Sequence, residues 1–150
     1  MVLNLLKSAS VAQHAKDMPC DQFLIEEMIA GGIAELLVGV VLDPAHGYVL
    51  TLAAGGQLTE ILDDKVSLLL PADEDSIFNA LSSLKIWPLL NGYRGGDSVD
   101  TTAIQKTIFG VQDFVTANQG HVSEVEINPL ICTKTDAIAA DALIKIGERL

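Results

Sequence analysis

Apolar and polar positions alternate along this chain in two distinct periods. Short apolar runs predict strands over residues 22–30 (QFLIEEMIA), 33–43 (IAELLVGVVLD) and 48–54 (YVLTLAA), with Gly31-Gly32 and the DPAHG segment as the turns between them. That spacing predicts an antiparallel meander. Residues 55–71, GGQLTEILDDKVSLLLP, add a glycine turn and one or two further strands ending at Pro71. The 3.6-residue period appears elsewhere. Residues 8–18 predict a short helix stopped by Pro19, and residues 72–84 a second with acids in its first turn, where the helix dipole favours them. Ile77, Ala80, Leu81 and Leu84 give that second helix an apolar face. Residues 85–97 read as a loop with Trp87 as a packing anchor, and residues 98–120 as a long helix. Its apolar face is Ile104, Ile108, Val111, Phe114 and Val115, and Gly120 is its stop. Strands are predicted again at 122–127, where Asn128-Pro129 breaks the run, and at 137–144. Strands grouped apart from helices, without strict βαβ alternation, predict an α+β fold built as one domain over residues 1–150.

Composition narrows the function classes. The chain is 49% hydrophobic and carries a net charge of −11, which argues against a nucleic-acid or anionic-membrane surface. An anionic ligand remains compatible with an acidic chain, because a metal ion and backbone amides can hold phosphate. No apolar run reaches the roughly 18–20 residues of a membrane span, and the start lacks the pattern of a signal peptide. Cys20 and Cys132 are far apart with no CxxC, so they read as ordinary thiols and the expected location is cytoplasmic.

The candidate chemistry lies in carboxylates. Glu126 and Asn128 are two apart on a predicted strand and so share a face. Asp141, in the next apolar run, lies at hairpin distance and could sit opposite them. Oxygen ligands from neighbouring strands, completed by phosphates and water, suit Mg²⁺. Spacing alone equally allows a simple turn at Asn128-Pro129 with solvated acids at a sheet edge. Glu26, Glu27 and Glu35 flank the Gly31-Gly32 turn, where backbone groups could read an adenine edge and a carboxylate could take ribose hydroxyls; solvated strand ends are the commoner arrangement. Arg94 stands in GYRGGD, residues 92–97, where a guanidinium beside flexible backbone suits a phosphate or carboxylate, or is a plain surface arginine. His14, His46 and His121 form no HxH, HxxxH or triad pattern.

Taken in order, FLIEEMI, GGIAELLVGVVLDPAHGYVLTLAAGGQLTEIL, VSLLLPA, PLLNGYRGGD and EVEINPLICT with AIAADALI closely resemble the C-terminal part of the ATP-grasp domain of NDP-forming acyl-CoA synthetases. That family includes ADP-forming acetyl-CoA synthetase and, more distantly, the succinyl-CoA synthetase β subunit. EINPL followed by an aspartate is the most specific element. The resemblance implies an ATP-grasp C-terminal lobe, a mainly antiparallel sheet with two or three helices packed on it. It also implies residue roles. Asn128 and Asp141 match ligands of the Mg²⁺ that bridges nucleotide phosphates, with Glu126 as the adjacent acid. Glu27 and Met28 match the hinge strand that reads adenine, Glu35 matches the position that meets the ribose, and Arg94 and Gly55-Gly56 look like features near the cleft. ATP or ADP with Mg²⁺ is the implied cofactor set.

The implied reaction interconverts acyl-CoA, phosphate and ADP with acid, CoA and ATP through a phosphohistidine, the work of an acid–thiol ligase. The histidine segment, the CoA-binding domain and most of the first lobe are expected to lie outside this chain, which would leave it inactive alone and make those parts its partners. None of the three histidines matches the swinging one, and Leu68 stands where some relatives carry arginine. Two other readings remain open at this stage. One is a regulatory domain of a protein lysine acetyltransferase. The other is a non-catalytic interaction module, which would self-associate as a homo-oligomer through its exposed cleft face.

Overall fold

A computed structural model describes residues 26–56 and 63–147 of the chain. The chain divides into two compact units, Met1–Ala30 and Gly31–Leu150. The helix expected at 8–18 lies outside the described residues, as do residues 22–25 of the first expected strand. Its remainder, Glu26–Ala30, forms no strand. These residues make no ladder hydrogen bonds among the described residues, and Met28 is 77% exposed, so local β-propensity finds no partner to pair with.

The second unit is built on a six-stranded antiparallel sheet. Strand β1 (Ala34–Asp43) turns into β2 (Gly47–Ala54), and β3 (Lys65–Leu69) follows. Helix α1 (Glu74–Ser83), the short helix α2 (Trp87–Leu90) and the long helix α3 (Thr101–Ala117) intervene. Strands β4 (Val122–Cys132), β5 (Ala137–Ala139) and β6 (Ala142–Ile146) complete the sheet. The sheet order is β3-β2-β1-β4-β5, with β6 also pairing β4. Of the meander expected over 22–54, the hairpin of β1 and β2 is present and residues 26–30 add no strand to it, while the α+β architecture with helices on one sheet face agrees with the sequence reading.

One face of the sheet makes the core. Leu36, Val38 and Val40 of β1, Leu50 and Leu52 of β2, and Val125, Ile127 and Leu130 of β4 pack against Ile77, Leu81, Ile104, Ile108 and Val115. Among the described residues, the polar groups buried in the core are hydrogen-bonded. Tyr48 donates its hydroxyl to the Val122 carbonyl at 2.7 Å. Buried Gln105 donates its amide to the Glu74 carbonyl at 3.1 Å, joining the two longer helices.

The helices start where aspartates cap them. Asp73 accepts from the Ser76 N–H at 2.8 Å and Asp100 from the Ala103 N–H at 3.0 Å. Four sequence expectations shift. Phe114 is not on the buried face of α3 but 39% exposed at its margin, and Gln105 is buried instead. Helix α3 ends before Gly120, because the Asn118 backbone and side-chain amides both take the Phe114 carbonyl. The expected loop at 85–97 contains α2 and a 3₁₀ turn at Tyr93–Gly95. Pro88 fits the start of α2, where no N–H is needed, and Trp87 packs edge-on against Phe78 with ring centroids 5.5 Å apart.

The fourth shift lies at Asn128-Pro129. Strand β4 does not stop there but continues to Cys132. Against β1 its register slips, Leu36 facing Leu130 and Val38 facing Ile127, so β4 accommodates one extra residue as a bulge. The Asn128–Pro129 peptide is cis. On the other side, the single strand expected at 137–144 is divided into β5 and β6 by Ala140 and Asp141, opposite the bulge. A proline without an N–H and a displaced ladder leave no regular partner for a continuous strand.

Candidate nucleotide and metal site

The bulge brings the conspicuous polar residues together. Asn128 donates its backbone N–H to the Asp141 carbonyl at 3.2 Å, and Ala140 donates to the Pro129 carbonyl at 3.0 Å. The Asn128 side-chain amide donates to Glu126 Oε1 at 3.2 Å. Asp141 accepts the Ala142 N–H on its Oδ1 at 2.8 Å, which fixes its carboxylate beside the same junction. Asn128 and Asp141 are exposed and Glu126 half-buried, so their oxygens face solvent. The sequence placed Asp141 within a strand; it stands instead in the break between two, because its partner residue is the bulge.

Alternation along β1 and β4 assigns these groups to one side of the sheet. Leu36, Val38, Val125 and Ile127 point into the core, so Glu35, Leu37, Glu126 and Asn128 belong to the opposite face. Gly39 is the register partner of both Glu126 and Thr51 on that face. Thr51 and Ser67 extend the same row, their hydroxyls 3.0 Å apart. Strand geometry places Glu35 about 7 Å along the sheet from the bulge and about 13 Å from the row of Glu126.

Glu35 lies at the edge of a cavity of about 830 Å³ whose apolar walls include Ile33, Ile86, Leu89 and Ile131. That volume lies within the range of small-molecule sites, and the cleft is open to solvent on one side. Gly55 and Gly56 form one wall. Gly55 donates its N–H to the Glu35 carbonyl at 2.7 Å, and a Cβ on Gly55 would come within 2.9 Å of the Glu35 backbone. Gly56 has φ +81°, and a Cβ there would lie 3.1 Å from Glu35 Oε2. Both positions therefore require glycine, one for close approach and one for conformation. The Gly55-Gly56 turn is thus fitted against the glutamate.

Arg94 has φ +52° and is exposed, with its guanidinium 5.2 Å from the Tyr93 ring centroid. It does not line the Glu35 cavity. Gly92, at φ +86°, has the Gly96 carbonyl 2.9 Å from where its Cβ would be, and Gly95 has φ +80°, so both positions favour glycine. Glu27 and Met28 are exposed residues of the first unit. Two residues escaped the sequence reading. Lys85 lines the cavity, and Asp64, buried at 5% exposure, accepts the Lys85 and Ile86 N–H groups on its two carboxylate oxygens at 2.7 and 2.9 Å. Asp64 stands beside Asp63, and no local pattern distinguishes the two.

The donor set at the bulge is two carboxylates and one carboxamide. No group of three or more His, Cys, Asp or Glu side chains converges as a metal cage among the described residues. The set therefore suits a hard cation that keeps water and takes phosphate oxygens, as Mg²⁺ does, and does not suit zinc.

A family model described as an ATP-grasp domain matches residues 6–146. The chain belongs to the ATP-grasp family. It is similar to the acetate–CoA ligase (ADP-forming) II subunit beta of Pyrococcus furiosus, 29% identical over 123 residues that cover 81% of this chain and 52% of that protein. It thus spans about half the length of that relative. Among solved structures, the apo form of the dinucleotide-forming acetyl-coenzyme A synthetase 1 of Ca. Korarchaeum cryptofilum superposes with a TM-score of 0.81 over 95% of this chain and 67% of that one, at 22% identity. The same synthetase in complex with coenzyme A and Mg-AMPPCP, its phosphohistidine segment pointing towards the nucleotide binding site, superposes with a TM-score of 0.72 at 25% identity, covering 80% of this chain and 55% of that one. The ATP-grasp sheet with helices on one face is the fold expected from the resemblance.

Proposed function

We propose that this ATP-grasp chain is the nucleotide- and Mg²⁺-binding portion of an ADP-forming acyl-CoA synthetase, an acid–thiol ligase. The observation that carries the reading is the junction of Asn128 and Asp141 across β4, on the sheet face that also presents Glu35 beside an apolar cavity. Spacings of about 7 and 13 Å between Glu35 and the acidic rows match a nucleotide lying along the sheet, sugar at one end and phosphates at the other.

In this reading Glu35 accepts from ribose hydroxyls, and the tight Gly55-Gly56 wall lets the ligand approach the backbone. Asn128, Asp141 and Glu126 hold Mg²⁺ through oxygen atoms, with water and phosphate completing its shell. Bound there, the ion neutralises phosphate charge. The resemblance, and no placement of the two units, assigns Glu27 and Met28 to an adenine edge and Arg94 to an anionic group. The acyl-transfer and CoA-binding steps, and the histidine that carries phosphate, belong to partner domains, as does the cleft's other lobe. The similarity to the ADP-forming ligase subunit supports that larger reaction. No helix among the described residues is long and apolar enough to cross a membrane, and the free thiol of Cys132 fits a cytoplasmic setting.

Isothermal titration of ADP into the chain tests the reading. Saturable binding in Mg²⁺ that is lost in EDTA supports it; heat that is identical in both, or absent in both, contradicts it.

A further inference from the structure

Asp64 is the only carboxylate buried among the described residues, and its bonds join three parts of the chain. Its backbone carbonyl accepts the Ala54 N–H at 3.0 Å, at the base of the Gly55-Gly56 turn. Its side-chain oxygens accept the N–H groups of Lys85 and Ile86, which are 21 and 22 residues away in sequence. Gly55 in turn donates to the Glu35 carbonyl. Glu35, the glycine turn and the Lys85–Leu89 wall are thus linked through one residue, which itself does not line the cavity.

We infer that Asp64 is a positioning residue for the nucleotide site, setting the distance between the Gly55-Gly56 turn beside Glu35 and the Lys85–Ile86 wall. Two N–H groups at the start of α2 have no side-chain cap from their own segment, so a carboxylate from before β3 supplies it. A carboxylate taking two N–H donors, one on each oxygen, constrains orientation as well as distance. Removing one acceptor frees the wall to shift relative to Glu35. Because sites depend on placement to a fraction of an ångström, ligand affinity falls while the sheet and core are retained. This inference rests on the nucleotide reading above.

The test uses the whole chain and Asp64→Asn, which keeps the shape but presents an NH₂ to one of the two N–H donors. Ile108→Ala, in the core on α3, serves as a comparison variant that lowers stability without touching the cavity. At a temperature where all are folded, Asp64→Asn weakens Mg-ADP binding about tenfold or more, whereas Ile108→Ala leaves the Kd within about twofold. In the ligand-free state, amide resonances of Gly55 and Gly56, as well as Lys85 and Ile86, move in Asp64→Asn. Should that variant not fold, Asp64→Glu displaces the same two oxygens by one methylene and carries the same readouts. A wild-type Kd in the folded Asp64 variant, or amide changes confined to Lys85 and Ile86, overturns the inference. Failure of the unsubstituted chain to bind Mg-ADP overturns the nucleotide reading instead, and the Gly55-Gly56 amides still decide whether Asp64 sets the wall.

Discussion

Asn128 and Asp141 are joined by a backbone hydrogen bond of 3.2 Å at the bulge in β4, although twelve residues, β5 among them, lie between the two in sequence. The bond makes their side chains neighbours on a solvent-facing edge without demanding any contact between them. A carboxamide and a carboxylate left with open oxygen lone pairs are what a hydrated cation with phosphate ligands requires. Local rules are broken here in three ways at once: a bulge, a strand split in two and polar residues inside apolar runs. Such coincidences mark function more often than accident.

The glycine wall should not tolerate a side chain. Gly55→Ala drives a methyl into the Glu35 backbone, and the expected cost is about 1–3 kcal/mol of overpacking, measured by urea denaturation. Wild-type stability in that variant would show that the turn is free to move away from Glu35.

Tyr48→Phe removes one hydroxyl and leaves the Val122 carbonyl short of a partner in a buried setting. A loss of about 1–3 kcal/mol follows, with no change in the denaturant slope, because the ring stays packed. A change below a few tenths would mean that water replaces the hydroxyl.

Burial pushes the Cys132 thiol up to about 12, and it donates to the Leu130 carbonyl at 3.6 Å. A thiol reagent needs thiolate and access, and this site gives neither. In a Cys20→Ser background, Cys132 should react with a disulfide reagent at pH 8 only once the chain is unfolded. Rapid reaction in the native state would contradict the burial described.

Acid should weaken the fold through exposed aspartates whose carboxyls sit below their ordinary value of 3.8. Asp43 is held down by the Ala45 N–H and then by His46, Asp63 by the Lys65 side chain, and Asp73 by the Ser76 hydroxyl and N–H. A folded-state value lower than the unfolded one gives stability that is present above 3.8 and lost as pH falls through the folded values. Lys65 is raised by the same Asp63 partner, so its contribution is complete below 10.5 and lost as pH climbs through the raised value. Melting temperature should therefore be flat near neutrality and fall on acidification, and Asp73→Asn should reduce the acid-side slope. An unchanged slope would remove Asp73 from the account.

Much of this was readable in the chain. The alternation in β1 and β2, and the apolar stripes of α1 and α3, are local signals strong enough to survive folding. What escaped was decided by distant partners. Glu26–Ala30 has strand composition but no ladder, and α2 lies in a segment whose N–H groups are capped by Asp64, 21 residues away. The EINPL motif pointed to Asn128 and Glu126 because its polar residues interrupt an apolar run. Asp141 joined them through hairpin length and through the resemblance, in which an aspartate follows EINPL. Asp64 and Lys85 gave no comparable sign: one is an acid beside another acid, and the other a lysine following a helix. Their roles depend on burial and on cavity walls, which sequence spacing does not encode.

If Asn128 and Asp141 hold Mg²⁺ beside nucleotide phosphate, thermal unfolding with and without Mg-ADP registers it. At about 100 times its dissociation constant the ligand should add roughly 2.7 kcal/mol, read as a rise in melting temperature that requires Mg²⁺. Asp141→Ala should leave the unliganded melting temperature nearly unchanged, since the bond to Asn128 uses the backbone, and should abolish the rise. An undiminished, Mg²⁺-dependent rise in Asp141→Ala would contradict the assignment.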